Sequence, residues 1–185
     1  GCADYAFQQH IQKSLDSKNG RSISLWPHGI LFRDSEQDMR KSMIKEDLVE
    51  CVIGLGPNLF YNSPMEACLL ITKTNKSVDK KGKILFINAV EEVREDKSIS
   101  FLEQKHIDKI FGAYQKFESQ ENLSALKTIE DVISNDGNMT ISLYVQPKKN
   151  EVNNVLPFDQ AMEGWNESSN NLKSSMNELF KIIDN

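Results

Sequence analysis

Two adjacent aromatics, Phe60 and Tyr61, sit in the loop Gly54-Leu55-Gly56-Pro57-Asn58-Leu59-Phe60-Tyr61-Asn62-Ser63-Pro64. Turn chemistry accounts for the glycines, prolines and asparagines but asks for no rings. One ring stacked on a planar ligand such as a base would explain them. Both rings plugging the loop onto a core would explain them equally well, and the residues alone leave the two readings open. Elsewhere the spacing offers little catalysis. Carboxylates are numerous without an acid/base dyad, and Ser, Cys and His occur without a GxSxG elbow. His10, His28 and His106 are scattered, and Cys2, Cys51 and Cys68 have no metal-like spacing, so a protein metal site is not expected. Cys51 and Cys68 lie inside apolar runs, where a reduced thiol acts as a small hydrophobe.

The aromatic loop follows residues 48–55, where Val49, Cys51, Val52, Ile53 and Leu55 are too continuously apolar for a half-exposed strand. A strand covered on both faces, the habit of parallel sheets, fits better. The loop then lies at a sheet's carboxyl edge, where α/β proteins place ligands. Upstream, residues 3–15 read as a helix with Phe7, Ile11 and Leu15 on its apolar face, and residues 22–26 alternate as a strand ending at Pro27. Residues 36–46 form a second helix through Met39, Met43 and Ile44. This strand–helix–strand order from 22 to 55 predicts half of a doubly wound α/β sheet. The apolar runs 67–72 and 84–88, joined by a polar turn, predict an antiparallel pair. An amphipathic helix over 101–117 carries Ile107, Ile110, Phe111 and Tyr114. A short helix near 128–134 and a strand near 139–145 follow. The expected class is therefore α/β with a mixed sheet, occupying residues 1–146.

Residues 147–157, beginning Pro147-Lys148-Lys149-Asn150, read as a linker. Beyond it, Phe158, Met162, Trp165, Ser169, Leu172, Met176, Leu179 and Ile183 are spaced alternately by four and three. That a/d pattern predicts a C-terminal helix over 158–184, seeking either a partner helix, a second copy included, or its own domain. Ser169 interrupts the seam.

With 22 basic and 27 acidic residues, a net charge of −5, 39% hydrophobic and 26% charged residues, the composition is that of an ordinary globular chain. Overall acidity argues against nucleic-acid binding by bulk charge. The charge is uneven: residues 73–83 hold five lysines and one acid, read as a solvated hairpin turn. From residue 150 onward, two lysines face six acids. No stretch approaches the roughly 18–20 apolar residues of a membrane span. The best candidate, 51–72, is broken by Pro57, Pro64 and Glu66. With no signal-peptide layout either, a soluble cytoplasmic protein is expected.

Particular segments go further. Ala3-Asp4-Tyr5-Ala6-Phe7-Gln8-Gln9-His10-Ile11 and Leu25-Trp26-Pro27-His28-Gly29-Ile30-Leu31-Phe32-Arg33 closely resemble the modification subunit of type I restriction–modification systems. So do Met39-Arg40-Lys41, Val52-Ile53-Gly54-Leu55, Asn58-Leu59-Phe60-Tyr61, Leu85-Phe86-Ile87-Asn88-Ala89, His106-Ile107-Asp108-Lys109-Ile110 and Asn135-Asp136, in order across residues 1–146. The resemblance implies an N6-adenine DNA methyltransferase that uses S-adenosylmethionine and works on double-stranded DNA with a specificity subunit and a restriction subunit. By motif position it puts Phe7 against the cofactor's adenine ring and Phe60, with Asn58 and Tyr61, at the flipped target adenine. Arg33 and Arg40 are candidates for phosphate contact, with plain solvation as the alternative. The tail heptads match where the family packs helices against the specificity subunit.

In that family a glycine-rich cofactor loop and an Asn-Pro-Pro-Phe tetrapeptide precede the matching segment, and neither motif occurs here. The chain starts on a helix, as if cut from something longer. It is expected to be the C-terminal half of a Rossmann-like methyltransferase sheet plus the tail helix, inactive alone. The competing reading is a catalytically dead α/β fragment that acts in protein association. Two departures stand out: Cys2 where the family often has Asn, and Gly137 where an aromatic is common. The second is expected to loosen the strand after it.

Overall fold

The computed structural model describes residues 3–60, 63–97, 99–146 and 158–183. The chain divides into two units, Gly1–Lys148 and Lys149–Asn185. The elements of the first are α1 (Asp4–Ser14), β1 (Arg21–Pro27), α2 (Gln37–Lys45), β2 (Val49–Leu55), β3 (Ala67–Lys73), β4 (Lys83–Ala89), β5 (Arg94–Asp96), β6 (Ile99–Phe101), α3 (Gln104–Lys116), β7 (Ser124–Thr128) and α4 (Ile129–Ser134). Short 3₁₀ turns cover His28–Leu31, Asp34–Glu36 and Ile141–Leu143.

Five strands form one sheet in the order β1-β3-β2-β4-β7. β3 is antiparallel to both β1 and β2, β4 is parallel to β2, and β7 is antiparallel to β4. The sheet is therefore mixed, and β1 and β2 run the same way with β3 inserted between them. The expected pairing of 67–72 with 84–88 does not occur. β2 lies between those two strands, so the lysine-rich segment crosses over it and is no hairpin turn. The strand expected near 139–145 is a 3₁₀ turn and loop instead, and β7 forms the sheet's edge beside β4.

Side chains alternate across the sheet. Val52, Leu70, Ile84 and Phe86 enter one core with Tyr5, Ile44, Val132 and Met139. Cys51, Ile53, Ile71, Leu85 and Ile87 enter the other with Ala113 and Phe117. Both faces of β2 are covered, so its seven residues are all buried. Cys51 and Cys68 are free, buried thiols. Burial pushes the Cys68 thiol up to about 12 and Cys51 well above its ordinary value.

Three helical faces differ from the periodicity. In α1 the buried residues are Tyr5 and Gln8, whereas Phe7 points outward. The reason lies in β1, whose Ser22, Ser24 and Trp26 face α1 while Ile23 and Leu25 face away, 59% and 47% exposed. Gln8 Oε1 accepts from Ser24 Oγ at 3.0 Å and Trp26 Nε1 at 2.9 Å, so this interface is zipped by amides and hydroxyls. In α2, Met43 and Ile44 are buried as expected but Met39 is exposed. In α3, Ile107 and Phe111 are exposed, and the helix docks through Ala113, Ile110 and Tyr114. The Tyr114 hydroxyl donates to the buried Glu50 carboxylate; burial and that carboxylate push the tyrosine's pKa upward.

The lysine run is not simply solvated. The Lys76 side chain is wholly buried, donating to Asp47 Oδ1 at 2.6 Å and to the Lys83 carbonyl at 2.7 Å. Burial lowers the lysine's pKa, and the Asp47 carboxylate opposes that shift. Asp47→Ala would strand the ammonium. Because Asp47 is partly exposed, the expected loss is about 3 kcal/mol, the low end for a broken buried pair. Urea unfolding checks it, with a loss below about 1 kcal/mol, the range of surface pairs, contradicting the structural role.

Gly137 also departs from expectation. It adopts φ +67°, and a Cβ there would meet Lys41 Cγ at 2.8 Å. It closes a left-handed turn where side chains are disfavoured, rather than loosening a strand.

In the second unit, α5 (Phe158–Ile183) is a 26-residue helix. Met162, Trp165, Leu172, Met176 and Leu179 are exposed, as is Phe180, which widens the apolar stripe. The linker expected at 147–157 lies outside the described residues. No helix among the described residues is long and apolar enough to cross a membrane.

Candidate functional site

The parallel strands β1, β2 and β4 all end at one edge of the sheet, and the aromatic loop leaves from β2 there. Its path is tightly held. A Cβ on Gly56 would meet the Val90 carbonyl oxygen at 2.4 Å, so only glycine lets the loop pass the turn after β4. Asn58 adopts φ +59°, and its carbonyl accepts from the Ser100 amide at 2.8 Å. The β5–β6 hairpin, which the residue pattern did not signal, thus clamps the loop. Phe60 bridges to Ser63, whose amide donates to the Phe60 carbonyl at 3.1 Å. The Phe60 ring is half-buried against the Cys51/Ile53/Leu85 core, beside Leu59. Tyr61 lies outside the described residues.

His28 sits beside this edge, after β1. Its Nε2 is 2.9 Å from the Ala67 carbonyl oxygen and its Nδ1 is 3.5 Å from Glu66. The imidazole thereby joins the end of β1 to the start of β3, where the aromatic loop returns.

The arginines proposed for phosphate contact are committed elsewhere. Arg40 is 1% exposed, donating from Nε to the Gly137 carbonyl at 2.8 Å and from Nη1 to the Arg33 carbonyl at 3.0 Å. A phosphate would have to enter the core to reach it, so Arg40 is a structural strut. Arg33 pairs with Asp4 at 2.5 Å and with Glu36 at 3.4 Å. Those two carboxylates would repel a phosphate, so its role is to tie the start of α1 to the turn after β1. Beside this cluster burial pushes the Tyr5 hydroxyl up, with Arg40 opposing.

Phe7 is 63% exposed on the outward side of α1. Its helix attaches to the Val52/Phe86 face of the sheet, whereas Phe60 packs with the opposite face. The described residues therefore do not bring the two rings together. No glycine-rich loop accompanies Phe7 in this sequence. No cluster of three or more metal-ligating side chains occurs among the described residues. The polar pairing of Gln8 with β1 escaped the apolar-face reading of α1. The alternation Ser22-Ile23-Ser24-Leu25-Trp26 was its available signal.

A mixed α/β sheet with its loops gathered at the carboxyl edge is the architecture of a Rossmann-like methyltransferase, and comparisons give the family. Residues 1–153 match the family described as N-6 DNA Methylase, and the chain belongs to it. It is 38% identical over 149 residues to the type I restriction enzyme MjaVIII methylase subunit of Methanocaldococcus jannaschii, covering 78% of this chain and 25% of that subunit. It is 32% identical over 186 residues to the MjaVII methylase subunit of the same organism, covering 98% of this chain and 31% of that subunit. Among solved structures, the type I restriction–modification methyltransferase subunit from Streptococcus thermophilus superposes with TM-score 0.74 at 33% identity, over 78% of this chain and 31% of that one. The chain thus spans about a third or less of these relatives.

Proposed function

We propose that residues 1–146 form the target-base part of an N6-adenine DNA methyltransferase domain in a type I modification subunit. S-adenosylmethionine, when bound, supplies the methyl group; Phe7 would offer its adenine ring a stacking face. The chain's own task is to receive the base. A base flipped from the duplex loses its stacking and must regain it on a protein ring. The observation that carries this reading is Phe60, half-buried at the carboxyl edge on a loop fixed by Gly56 and by Asn58. Such anchoring holds the ring in place before the base arrives, which lowers the ordering cost of binding. Double-stranded DNA, the specificity subunit and the restriction subunit are the partners this assignment implies.

Methyl transfer also needs polar acceptors for the adenine N6 hydrogens, the part an Asn-Pro-Pro-Phe tetrapeptide plays in this family. That tetrapeptide and the glycine-rich loop are absent from the sequence. The purified 185-residue chain is therefore expected to incorporate no tritium from labelled S-adenosylmethionine into unmethylated DNA. Incorporation above a no-protein control would overturn this division of labour.

The apolar stripe of α5 supports a second task within the same subunit, association. An exposed run of Trp165, Leu172, Met176 and Leu179 on a 26-residue helix is the kind of patch that marks interfaces. Its partner is a helix of the specificity subunit, or a second copy of α5 when that subunit is missing.

A further inference from the structure

The aromatic loop leaves β2 after Leu55 and comes back at Ala67, and these two residues face each other across the β2–β3 ladder. Before Phe60, the close approach of Gly56 to the Val90 carbonyl and the bond from Ser100 to Asn58 hold the chain. After Phe60 the Ser63 amide bonds back to the Phe60 carbonyl, which tightens the turn without tying it to the sheet. Pro64, Met65 and Glu66 are then exposed. The tie on this return side comes from His28. Ala67 is the register partner of Pro27, the last residue of β1, which has no amide hydrogen to give it. His28, one position on, supplies a donor. A carbonyl oxygen can only accept, so the Nε2 that stands 2.9 Å from the Ala67 oxygen carries a proton. On the other side of the ring Nδ1 faces the Glu66 carboxylate at 3.5 Å. The half-buried imidazole lies beside Gly54, where a Cβ would come within 3.9 Å of Nε2. One side chain thus holds both residues that close the loop.

We propose that His28 is a positioning residue for the target base. By pinning the loop's return to the end of β1, it sets where the Phe60 ring stands when an adenine leaves the duplex. It acts through Phe60 and not on the base, so the inference rests on Phe60 being the stacking ring. A misplacement of about 1 Å caused by a change away from the chemistry can cost up to ~100-fold in rate.

The test is steady-state methylation of unmethylated DNA by a full-length modification subunit carrying these residues, assembled with its specificity subunit. His28→Ala should lower kcat about tenfold. The KM for DNA should stay within about twofold, because affinity for DNA is set largely by phosphate contacts. Two amide variants separate the two contacts of the ring. A glutamine amide nitrogen reaches the place of Nε2, and an asparagine amide nitrogen that of Nδ1. His28→Gln should therefore return kcat to near the wild-type value, and His28→Asn should not; this comparison decides the matter if His28→Ala fails to fold. Because His28 acts through Phe60, His28→Ala with Phe60→Ala should be no slower than Phe60→Ala alone, whereas independent losses would multiply. Wild-type kcat in His28→Ala beside a deficient Phe60→Ala would overturn the role of His28 and leave that of Phe60 standing. Normal activity in Phe60→Ala would remove the stacking role and the proposal with it. Losses that multiply in the double variant, or a folded His28→Gln as slow as His28→Asn, would also overturn it.

Discussion

Phe60→Ala, placed in a full-length modification subunit that carries these residues, is expected to cut methylation about five- to 150-fold, the equivalent of the roughly 1–3 kcal/mol that one stacked base contributes. The stability cost should be smaller than for a fully buried ring. Phe60 is half-buried against Leu59 and the Cys51/Ile53 core, so about half of the ~1.5–3 kcal/mol for complete burial is at stake. Phe60→Leu keeps most of the packing and loses the ring. It should retain nearly the wild-type Tm while staying deficient in methylation. Normal activity in Phe60→Ala together with a collapsed Tm would make Phe60 a core plug and remove the stacking role.

The second large effect belongs to α5. Leu172→Asp with Leu179→Asp places two carboxylates one heptad apart on the apolar stripe, flanking Met176. Burying them in a helix seam would leave unpaired charge in an apolar contact. Co-purification with the specificity subunit should fall by at least about tenfold, the scale of interface hot spots. The α/β unit is a separate compact body and should keep its Tm. Undiminished co-purification with that body still folded would show that α5 is not the docking element.

How much of this fold could be read from residues depends on what each element faces. β2 and β4 were legible because both faces are covered, which leaves a continuous apolar run that few other environments produce. The adjacency of β3 and β4 was not legible, since a polar segment of 73–82 suits a hairpin or a crossing over β2 equally well. β1 and α1 misled in a related way: their contact is built from Gln8, Gln12, Ser22, Ser24 and Trp26, so Phe7 of α1 and Ile23 and Leu25 of β1 face outward. α3 puts Ile107 and Phe111 in the open because it docks through Ala113, Ile110 and Tyr114. In the candidate-site loop, Phe60 stands out because a turn has no need of a ring. Arg33 and Arg40 misled because an arginine's partners, here carbonyls of Gly137 and Arg33 and the carboxylates of Asp4 and Glu36, come from distant parts of the chain.

Nucleoside analysis of DNA tests the assignment to adenine most directly. Unmethylated DNA is incubated with S-adenosylmethionine and a full-length modification subunit carrying residues 1–185, assembled with its specificity subunit, then digested and resolved by mass spectrometry. The account predicts N6-methyladenine as the sole new nucleoside, sharply reduced by Phe60→Ala. Methylated cytosine in its place, or N6-methyladenine at the same level in Phe60→Ala, would contradict it.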